Sequence, residues 1–214
     1  MKQDLNKIQD VYNTVSKEYA EAFTGEHQKK PKDREILCRF SQQVGNKRPV
    51  WDLGCGPGQT TEYLKSLGVE ISGLDLSENI LQQAKTIHPD IHFQKGNILE
   101  LEFENDSIAG IVAFYAIVHF TKEQAGIAFS EIFRVLKPGG LFLFTYHIGD
   151  ETIHINQFLG RKVDIDFMFF NSDFISGCLE VSGFEEIELI EREPYQGIEY
   201  QSRRAYVFAK KPCR

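Results

Sequence analysis

The chain has 214 residues, of which 42% are hydrophobic and 26% charged, a balance typical of one globular domain with a substantial core. Its formal charge of -7 argues mildly against broad binding of DNA or RNA phosphates, which usually rests on a basic surface, although it does not exclude a local basic patch. The sequence shows no signal peptide or membrane-spanning stretch, and its four cysteines have no metal or redox spacing, so we expect free thiols and a cytoplasmic protein.

An amphipathic segment, Leu5–Phe23, precedes the first predicted strand. We expect residues 1–45 to form helices over the carboxyl end of that strand, as a lid in the same domain as the ligand-binding unit, residues 46–214. Tyr12 and Tyr19 lie seven residues apart, which places both on one helix face, where they could reach a ligand below.

Short apolar runs then alternate with helix-like stretches, which predicts an α/β doubly wound sheet of parallel strands with helices on both faces. The predicted parallel strands are Pro49–Leu53, Val69–Leu74, Ile91–Gln94, Ile108–Phe114 and Leu141–Tyr146. Two more strands, Ile187–Glu191 and Arg204–Ala209, are joined by a loop so short that only an antiparallel pair is possible.

Capping residues mark the predicted helices. Ser77 and Thr121 are suited to begin helices, because their hydroxyls can accept hydrogen bonds from the first free backbone N–H groups. A further helix, Ser172–Ser182, is closed by Gly183.

A glycine-rich turn, Gly54–Gly58, connects the first strand to a helix at Thr60–Leu67. A dinucleotide-binding turn needs glycine where Gln59 stands, which argues against a nicotinamide-dependent oxidoreductase. A phosphate-binding P-loop needs lysine at the same place. Neither pattern fits.

Two acids favour a different ligand. Asp52, at the end of the first strand, would attract an ammonium group through a charge-assisted hydrogen bond. Asp75 ends the second strand, about 20 residues further on, where a carboxylate can accept hydrogen bonds from both hydroxyls of a ribose. An amino acid joined to a ribose describes S-adenosylmethionine.

Four motifs, in this order along the chain, resemble those of class I (Rossmann-like) S-adenosylmethionine-dependent methyltransferases: Asp52–Gly58, Gly73–Ser77, Gly96–Ile98 and Leu136–Gly140. The resemblance covers most of the chain and implies a seven-stranded sheet of order 3-2-1-4-5-7-6, with strand 7 antiparallel. It also implies a methyltransferase with S-adenosylmethionine as cofactor, and the short insertions favour a small-molecule acceptor.

The resemblance further implies how the cofactor is held. The glycine turn would wrap the methionine part, Asp75 would bind the ribose, and Leu76 with the segment Asn97–Ile98 would contact the adenine. Tyr19 could hydrogen-bond the cofactor carboxylate, and Arg34 could offer it a cation. The expected cofactor-binding residues are Tyr19, Asp52, Gly54, Cys55, Gly56, Gly58, Asp75, Leu76, Asn97, Ile98, Phe114 and Tyr115.

Asn97 departs from the family pattern, in which many members have aspartate at this place. Its neutral carbonyl oxygen could accept a hydrogen bond from the adenine amino group. Alternatively, Asn97 only organises a turn after the third strand.

Methyl transfer from a sulfonium mainly requires alignment and the exclusion of water, and a base is needed only if the acceptor arrives protonated. The segment Ala113–Phe120 lacks the Asn/Asp-Pro-Pro-Tyr/Phe pattern of enzymes that methylate DNA bases, so we expect no DNA partner. His119 and His147, after the fourth and fifth strands, are the catalytic candidates because free histidine titrates near neutrality. Each also has a plainer interpretation: His119 packs beside the cofactor, and His147 belongs to a polar loop that includes His154. The spacing in that loop fits no zinc signature, so we expect no metal.

Three features leave alternatives open. The segment Val163–Phe170 is either an added strand that lines an apolar acceptor pocket or part of the core. The charges from Glu199 to Arg204 either bind a polar or anionic acceptor or form surface ion pairs. RNA methylation would require Arg161, Lys162, Arg203 and Arg204 on one rim, whereas a non-catalytic cofactor-binding protein would lack usable polar groups near the methyl.

Overall fold

The computed structural model describes residues 4–213, and within that range nine strands form a seven-stranded sheet and a separate hairpin. The strands are β1 Val50–Leu53, β2 Ile71–Asp75, β3 Phe93–Lys95, β4 Ile108–Phe114, β5 Leu136–His147, β6 Thr152–Phe158, β7 Arg161–Met168, β8 Glu185–Arg192 and β9 Arg204–Lys210. The large sheet has the order β3-β2-β1-β4-β5-β9-β8, with β9 antiparallel to both of its neighbours. Numbered within this sheet alone, the order is 3-2-1-4-5-7-6, so the predicted fold is confirmed.

Seven helices lie within the described residues, and the three for which capping residues were identified lie where those signals predict. Their bounds are α1 Leu5–Phe23, α2 Glu26–Lys29, α3 Pro31–Val44, α4 Gln59–Ser66, α5 Glu78–Ile87, α6 Lys122–Val135 and α7 Ser172–Ser182. Ser77 caps α5 by accepting from the Ile80 N–H, and Thr121 forms a reciprocal capping box with Gln124 at the start of α6. None of these described helices has the length and apolar character needed to cross a bilayer.

Both faces of the sheet are buried, and β5 shows why its sequence is almost continuously apolar. Phe142 and Phe144 face α6 and α7, where they pack with Phe129. Leu141 and Leu143 alternate with them and face α3 on the opposite side. A strand covered on both faces has no solvent side, so its sequence carries no polar alternation.

The hairpin β6–β7 is an addition outside the large sheet. Val163 and Ile165 of β7 pack against the apolar face of α1, which includes Ile8, Val11 and Val15. The added strand, one of the two interpretations of Val163–Phe170, is therefore present as β7. Phe169 and Phe170 follow this strand and are buried.

The strand β6 was not predicted, because its polar residues were attributed to a loop. His154 lies in β6, not in a loop, and is more than half exposed. Its neighbours Ile153 and Ile155 point to the opposite face of the strand, so the polarity of this stretch is strand alternation with one wet face.

Candidate active site

The glycine turn after β1 is shaped by left-handed backbone conformations. Gly54 has a φ of 68°, and a Cβ placed there would lie 2.6 Å from the Cβ of Ala116 in the loop after β4. Gly56 has a φ of 54°. The turn is therefore tight, and the loops after β1 and β4 approach each other as only glycine allows.

Asp75 connects this turn to the loop after β2. Its Oδ2 accepts a hydrogen bond from the Gly56 N–H at 2.9 Å, and its Oδ1 accepts one from the Ser77 N–H at 2.8 Å. Burial raises the pKa of Asp75, whereas these N–H donors oppose the shift. Each carboxylate oxygen keeps a further lone pair for a ligand hydroxyl.

Asp52 lies beneath the turn and is only 1% exposed. Its Oδ2 accepts a hydrogen bond from the Thr61 hydroxyl at 2.6 Å. Burial, together with the nearby charge of Asp75, raises the pKa of Asp52 to about 7. Its charge thus changes near neutral pH.

Two adjoining cavities open at the carboxyl ends of the strands. The smaller has a volume of about 100 Å³ and lies between α1 and the loops after β2 and β3. The larger, of about 390 Å³, extends towards the hairpin and the start of β9. Both cavities are lined by Tyr12, Tyr19, Gly54, Gly56, Phe114 and Tyr115.

All of the sequence-predicted cofactor residues except Gly58 line one or both of these cavities. Asp75, Leu76, Asn97 and Ile98 line the smaller cavity. Asp52 and Cys55 line the larger one. Gly58 lines neither: it precedes α4, where a Cβ would lie 2.7 Å from the ring of Phe93.

Asn97 also organises a turn. Its Oδ1 accepts a hydrogen bond from the Leu99 N–H at 2.9 Å, while the residue lines the smaller cavity. The side chain therefore has the contact that the turn interpretation requires, and it still faces the place where an adenine could lie.

His119 is buried, and both of its ring nitrogens are hydrogen-bonded. Nδ1 lies 2.8 Å from the backbone oxygen of Asp166, which can only accept, so Nδ1 must carry the proton. Nε2 is then the acceptor for the hydroxyl of Tyr12, which lies 2.8 Å away. Burial lowers the pKa of His119 to about 4, so the ring is neutral and its lone pair is occupied.

His147 lies at the carboxyl end of β5 and lines the larger cavity. Its Nδ1 is 2.7 Å from the Ser202 hydroxyl, and its ring stacks on Phe169 at 5.0 Å between centroids. Burial, followed by the charge of Arg204, lowers the pKa of His147 to about 3. This histidine is also neutral at physiological pH.

Two buried cations of the described residues lie at the larger cavity: Lys30 was not predicted from the sequence, whereas Arg204 belongs to the charged run near the end of the chain. Lys30 is 6% exposed and Arg204 is 3% exposed, and both line it. Arg34, the cation proposed from sequence, instead donates to the backbone oxygens of His27 and Gln28. The charged run from Glu199 to Arg204 is thus partly buried in the site, because Glu199 and Arg204 both line the cavity.

Several buried polar atoms at the larger cavity have no hydrogen-bond partner within the described part of the chain. They are Gln59 Oε1, the Tyr115 hydroxyl and Arg204 Nε. Unpaired buried polar atoms are costly and rare, and at a cavity they mark positions where a ligand can complete the hydrogen bonding.

Comparisons with known proteins agree with this geometry. Residues 50–140 match a family described as a methyltransferase domain. A probable S-adenosylmethionine-dependent methyltransferase of Mycolicibacterium smegmatis is 30% identical over 144 residues, which cover 64% of this chain and 52% of that relative. The chain therefore spans about half the length of this curated relative.

Solved structures share the fold at low sequence identity. A Burkholderia thailandensis 1,6-didemethyltoxoflavin N1-methyltransferase, with its substrate and S-adenosylhomocysteine bound, matches with a TM-score of 0.73 and 16% identity over 97% of this chain and 88% of its own. The cyclase SpnF matches with a TM-score of 0.76 and 15% identity over 98% of this chain and 97% of its own. The fold is thus compatible with more than one reaction, and the site must decide the chemistry.

Proposed function

The chain belongs to the class I S-adenosylmethionine-dependent methyltransferases, and on that premise we propose that it transfers a methyl group from S-adenosylmethionine to a small-molecule acceptor. The observation that carries the proposal is Asp75, whose two oxygens hold the glycine turn and the next loop while lining the smaller cavity. We place the reaction in the cytoplasm, since the four cysteines are free thiols, as a reducing compartment requires.

The residues around the glycine turn fit the methionine part of the cofactor. Asp52 and the unpartnered Gln59 Oε1 are acceptors for its ammonium group. Lys30, which Glu26 holds at 2.6 Å, is the buried cation on this side for its carboxylate. Tyr19, packed over the turn beside Gly56, would cover this part of the ligand.

The smaller cavity fits the adenosine part. Asp75 would accept hydrogen bonds from the ribose hydroxyls, and Leu76 would pack on the adenine. The Asn97 side chain and the Ile98 amide would contact the adenine edge. Helix α1 lies over this cavity through Ile8 and Tyr12, which supports the role of residues 1–45 as a lid.

Bound S-adenosylmethionine would supply a methyl group whose carbon the acceptor atom attacks from the side opposite the positively charged sulfur, which leaves as a neutral thioether. The protein must then align the acceptor and exclude water. His147 lines the larger cavity and would orient the acceptor there. His119 also lines the cleft, but its two hydrogen bonds connect α1 to β7, so we assign it to positioning rather than to proton transfer.

The cations that RNA methylation would require do not form a free basic rim. Arg161 pairs with Glu18 at 2.6 Å, and Arg203 pairs with Glu191. Arg204 is buried at the cavity. Two of the four cations are thus paired with carboxylates and a third is buried in the cavity, so that within this described set only Lys162 is left for a phosphate, which supports a small-molecule acceptor.

A thermal-shift comparison of S-adenosylmethionine, S-adenosylhomocysteine and NAD tests the cofactor. We expect stabilisation by the first two and none by NAD, because a ligand that binds the folded state raises the melting temperature by mass action. Stabilisation by NAD alone, or by none of the three, would contradict the proposal.

Turnover is tested separately with methyl-labelled S-adenosylmethionine and a cell extract divided into small-molecule and RNA fractions. We expect label in the small-molecule fraction only. Label in RNA would contradict the proposed acceptor, and cofactor binding without transfer to either fraction would favour a non-catalytic role.

A further inference from the structure

The larger cavity extends beyond the groups that fit the methionine part of the cofactor. Its remaining lining includes Arg204, His147 and Tyr115, and residues of the hairpin form a wall. Arg204 pairs in register with His147 across β9 and β5, so its position is fixed by the sheet. This side of the cavity is where an acceptor would be bound.

Arg204 is the least neutralised cation of a buried charge cluster. Arg192 donates to both oxygens of Glu199 and lies 3.3 Å from Asp33. Lys30 pairs with Glu26. Arg204 has only a share of Glu199, whose Oε2 lies 3.3 Å from its Nε without hydrogen-bond geometry.

Two hydrogen-bond donors on this side have no acceptor within the described residues. They are Arg204 Nε and the Tyr115 hydroxyl. Burial raises the pKa of Tyr115, so its hydroxyl keeps its proton and can donate. Two unpaired donors beside an incompletely neutralised guanidinium call for an anionic acceptor group.

A cationic acceptor is disfavoured by the same geometry. Lys30 and Arg204 both lie against the ring of Tyr115, 5.9 Å and 5.8 Å from its centroid. Their charges would repel an incoming ammonium and compete with it for the ring.

The hairpin supplies an apolar wall. Ile153 and Ile155 of β6 face the cavity, and in the register of the hairpin they pair with Phe167 and Ile165 of β7. Phe158 and Phe169 extend the wall. A ligand that lies here buries a hydrocarbon body and leaves its polar end at Arg204.

We propose that the methyl acceptor is an organic acid whose carboxylate is bound by Arg204 and Tyr115 and whose apolar body lies along the β6–β7 hairpin. This inference rests on the proposed function, because it takes the larger cavity as the acceptor site. The buried cations Lys30, Arg192 and Arg204 are balanced in number by Glu26, Asp33 and Glu199, so the ligand carboxylate would be held by the unpaired donors of Arg204 and Tyr115 and not by an excess of positive charge.

Calorimetric titration of three probes with the same hydrocarbon body tests the charge preference: 3-phenylpropionate, 3-phenylpropionamide and 3-phenylpropylammonium. We expect the acid to bind at least about tenfold more tightly than the amide, and the ammonium most weakly. Equal binding of acid and amide, or preference for the ammonium, would overturn the proposal.

The titrations are run with and without saturating S-adenosylhomocysteine. Failure of that compound to bind contradicts the proposed function, whereas the order of the three probes reports on the acid site in either state. The two failures are therefore distinguishable.

Tyr115→Phe removes a hydroxyl that has no partner in the protein, so the variant should fold with an unchanged melting temperature. We expect it to bind 3-phenylpropionate about fivefold more weakly and the amide as before. An unchanged preference for the acid would contradict the assignment of this hydroxyl.

Arg204→Gln should abolish the preference for the acid. Arg39→Gln is the matched control, since Arg39 is partly exposed and pairs with Glu188 outside the cavity. The control should keep the full preference, and an equal loss in both variants would reveal a general charge effect and overturn the proposal. If Arg204→Gln does not fold, Tyr115→Phe decides.

Discussion

The two halves of the cleft are built in different ways. The cofactor half is organised by one stretch, Asp52 to Ile98, whose turns Asp75 holds together, while α1 and the segment after β4 complete the smaller cavity. The acceptor half consists of side chains from distant parts of the chain, such as His147, Phe158 and Arg204. A ligand common to many proteins can thus be held by a local motif, whereas a particular acceptor requires long-range packing.

The largest expected effect concerns the backbone of the cofactor half. Gly54→Ala places a Cβ 2.6 Å from Ala116 at a positive φ, so we expect a loss of about 3 kcal/mol in the free energy of unfolding, measured with urea. Gly68→Ala is the control, because Gly68 has a φ of 89° with open space around it. It should cost about 1 kcal/mol, and equal losses would show that the close contact with Ala116 is unimportant.

Removal of the carboxylate that connects the two cofactor loops comes next. Asp75→Ala deletes the acceptor for the Gly56 and Ser77 N–H groups and for the ribose hydroxyls, so S-adenosylhomocysteine should bind about 100-fold more weakly by calorimetry. Asp90→Ala, at an exposed aspartate that pairs with Lys65, should leave the affinity unchanged. An unaltered affinity in Asp75→Ala would count against the ribose role.

At the smaller cavity, the hydrogen bonds of His119 provide a test of side-chain packing. Tyr12→Phe leaves the buried Nε2 of His119 without its donor, so we expect a loss of about 1.5 kcal/mol in the free energy of unfolding. Tyr200→Phe, at a ring that is 59% exposed, should change it by less than about 0.5 kcal/mol. A Tyr12→Phe protein as stable as the parent would mean that the connection between α1 and the hairpin does not depend on this bond.

The smallest effect is the pH dependence of cofactor binding. The pKa of Asp52 is raised to about 7, so the carboxylate form that attracts an ammonium prevails above pH 7 and declines below it. The affinity for S-adenosylhomocysteine should therefore rise about fivefold between pH 6 and pH 8. Asp52→Asn should flatten this profile, and an unchanged slope in that variant would assign the titration to another group.

The parts that could be predicted from the sequence are those that local chemistry determines. The glycine turn, the acids at the ends of β1 and β2, and the Ser77 and Thr121 caps each depend on a few neighbouring residues. The sheet order followed from the resemblance. The roles of the individual site residues stay predictions, to be tested by the variants above.

The lining of the larger cavity could not be predicted from the sequence in the same way. Lys30 precedes a proline at the start of α3, and nothing nearby in the sequence shows that it is buried beside Glu26 and Glu199. Arg204 was part of the charged run from Glu199 to Arg204, but the sequence left open whether that run binds an acceptor or forms surface ion pairs. The alternation of β6 was present as well, but only its pairing with β7 makes it a strand.

The hairpin leaves the large sheet and returns to it at neighbouring positions, marked by a parallel bridge between Ile148 and Phe170. It has its own two-stranded ladder and takes no place in the order of the seven strands. The stretch between these two residues can therefore vary in length and composition while the ladder of the large sheet stays intact. The hairpin can thus change between related proteins without disturbing the seven-stranded sheet that carries the cofactor site.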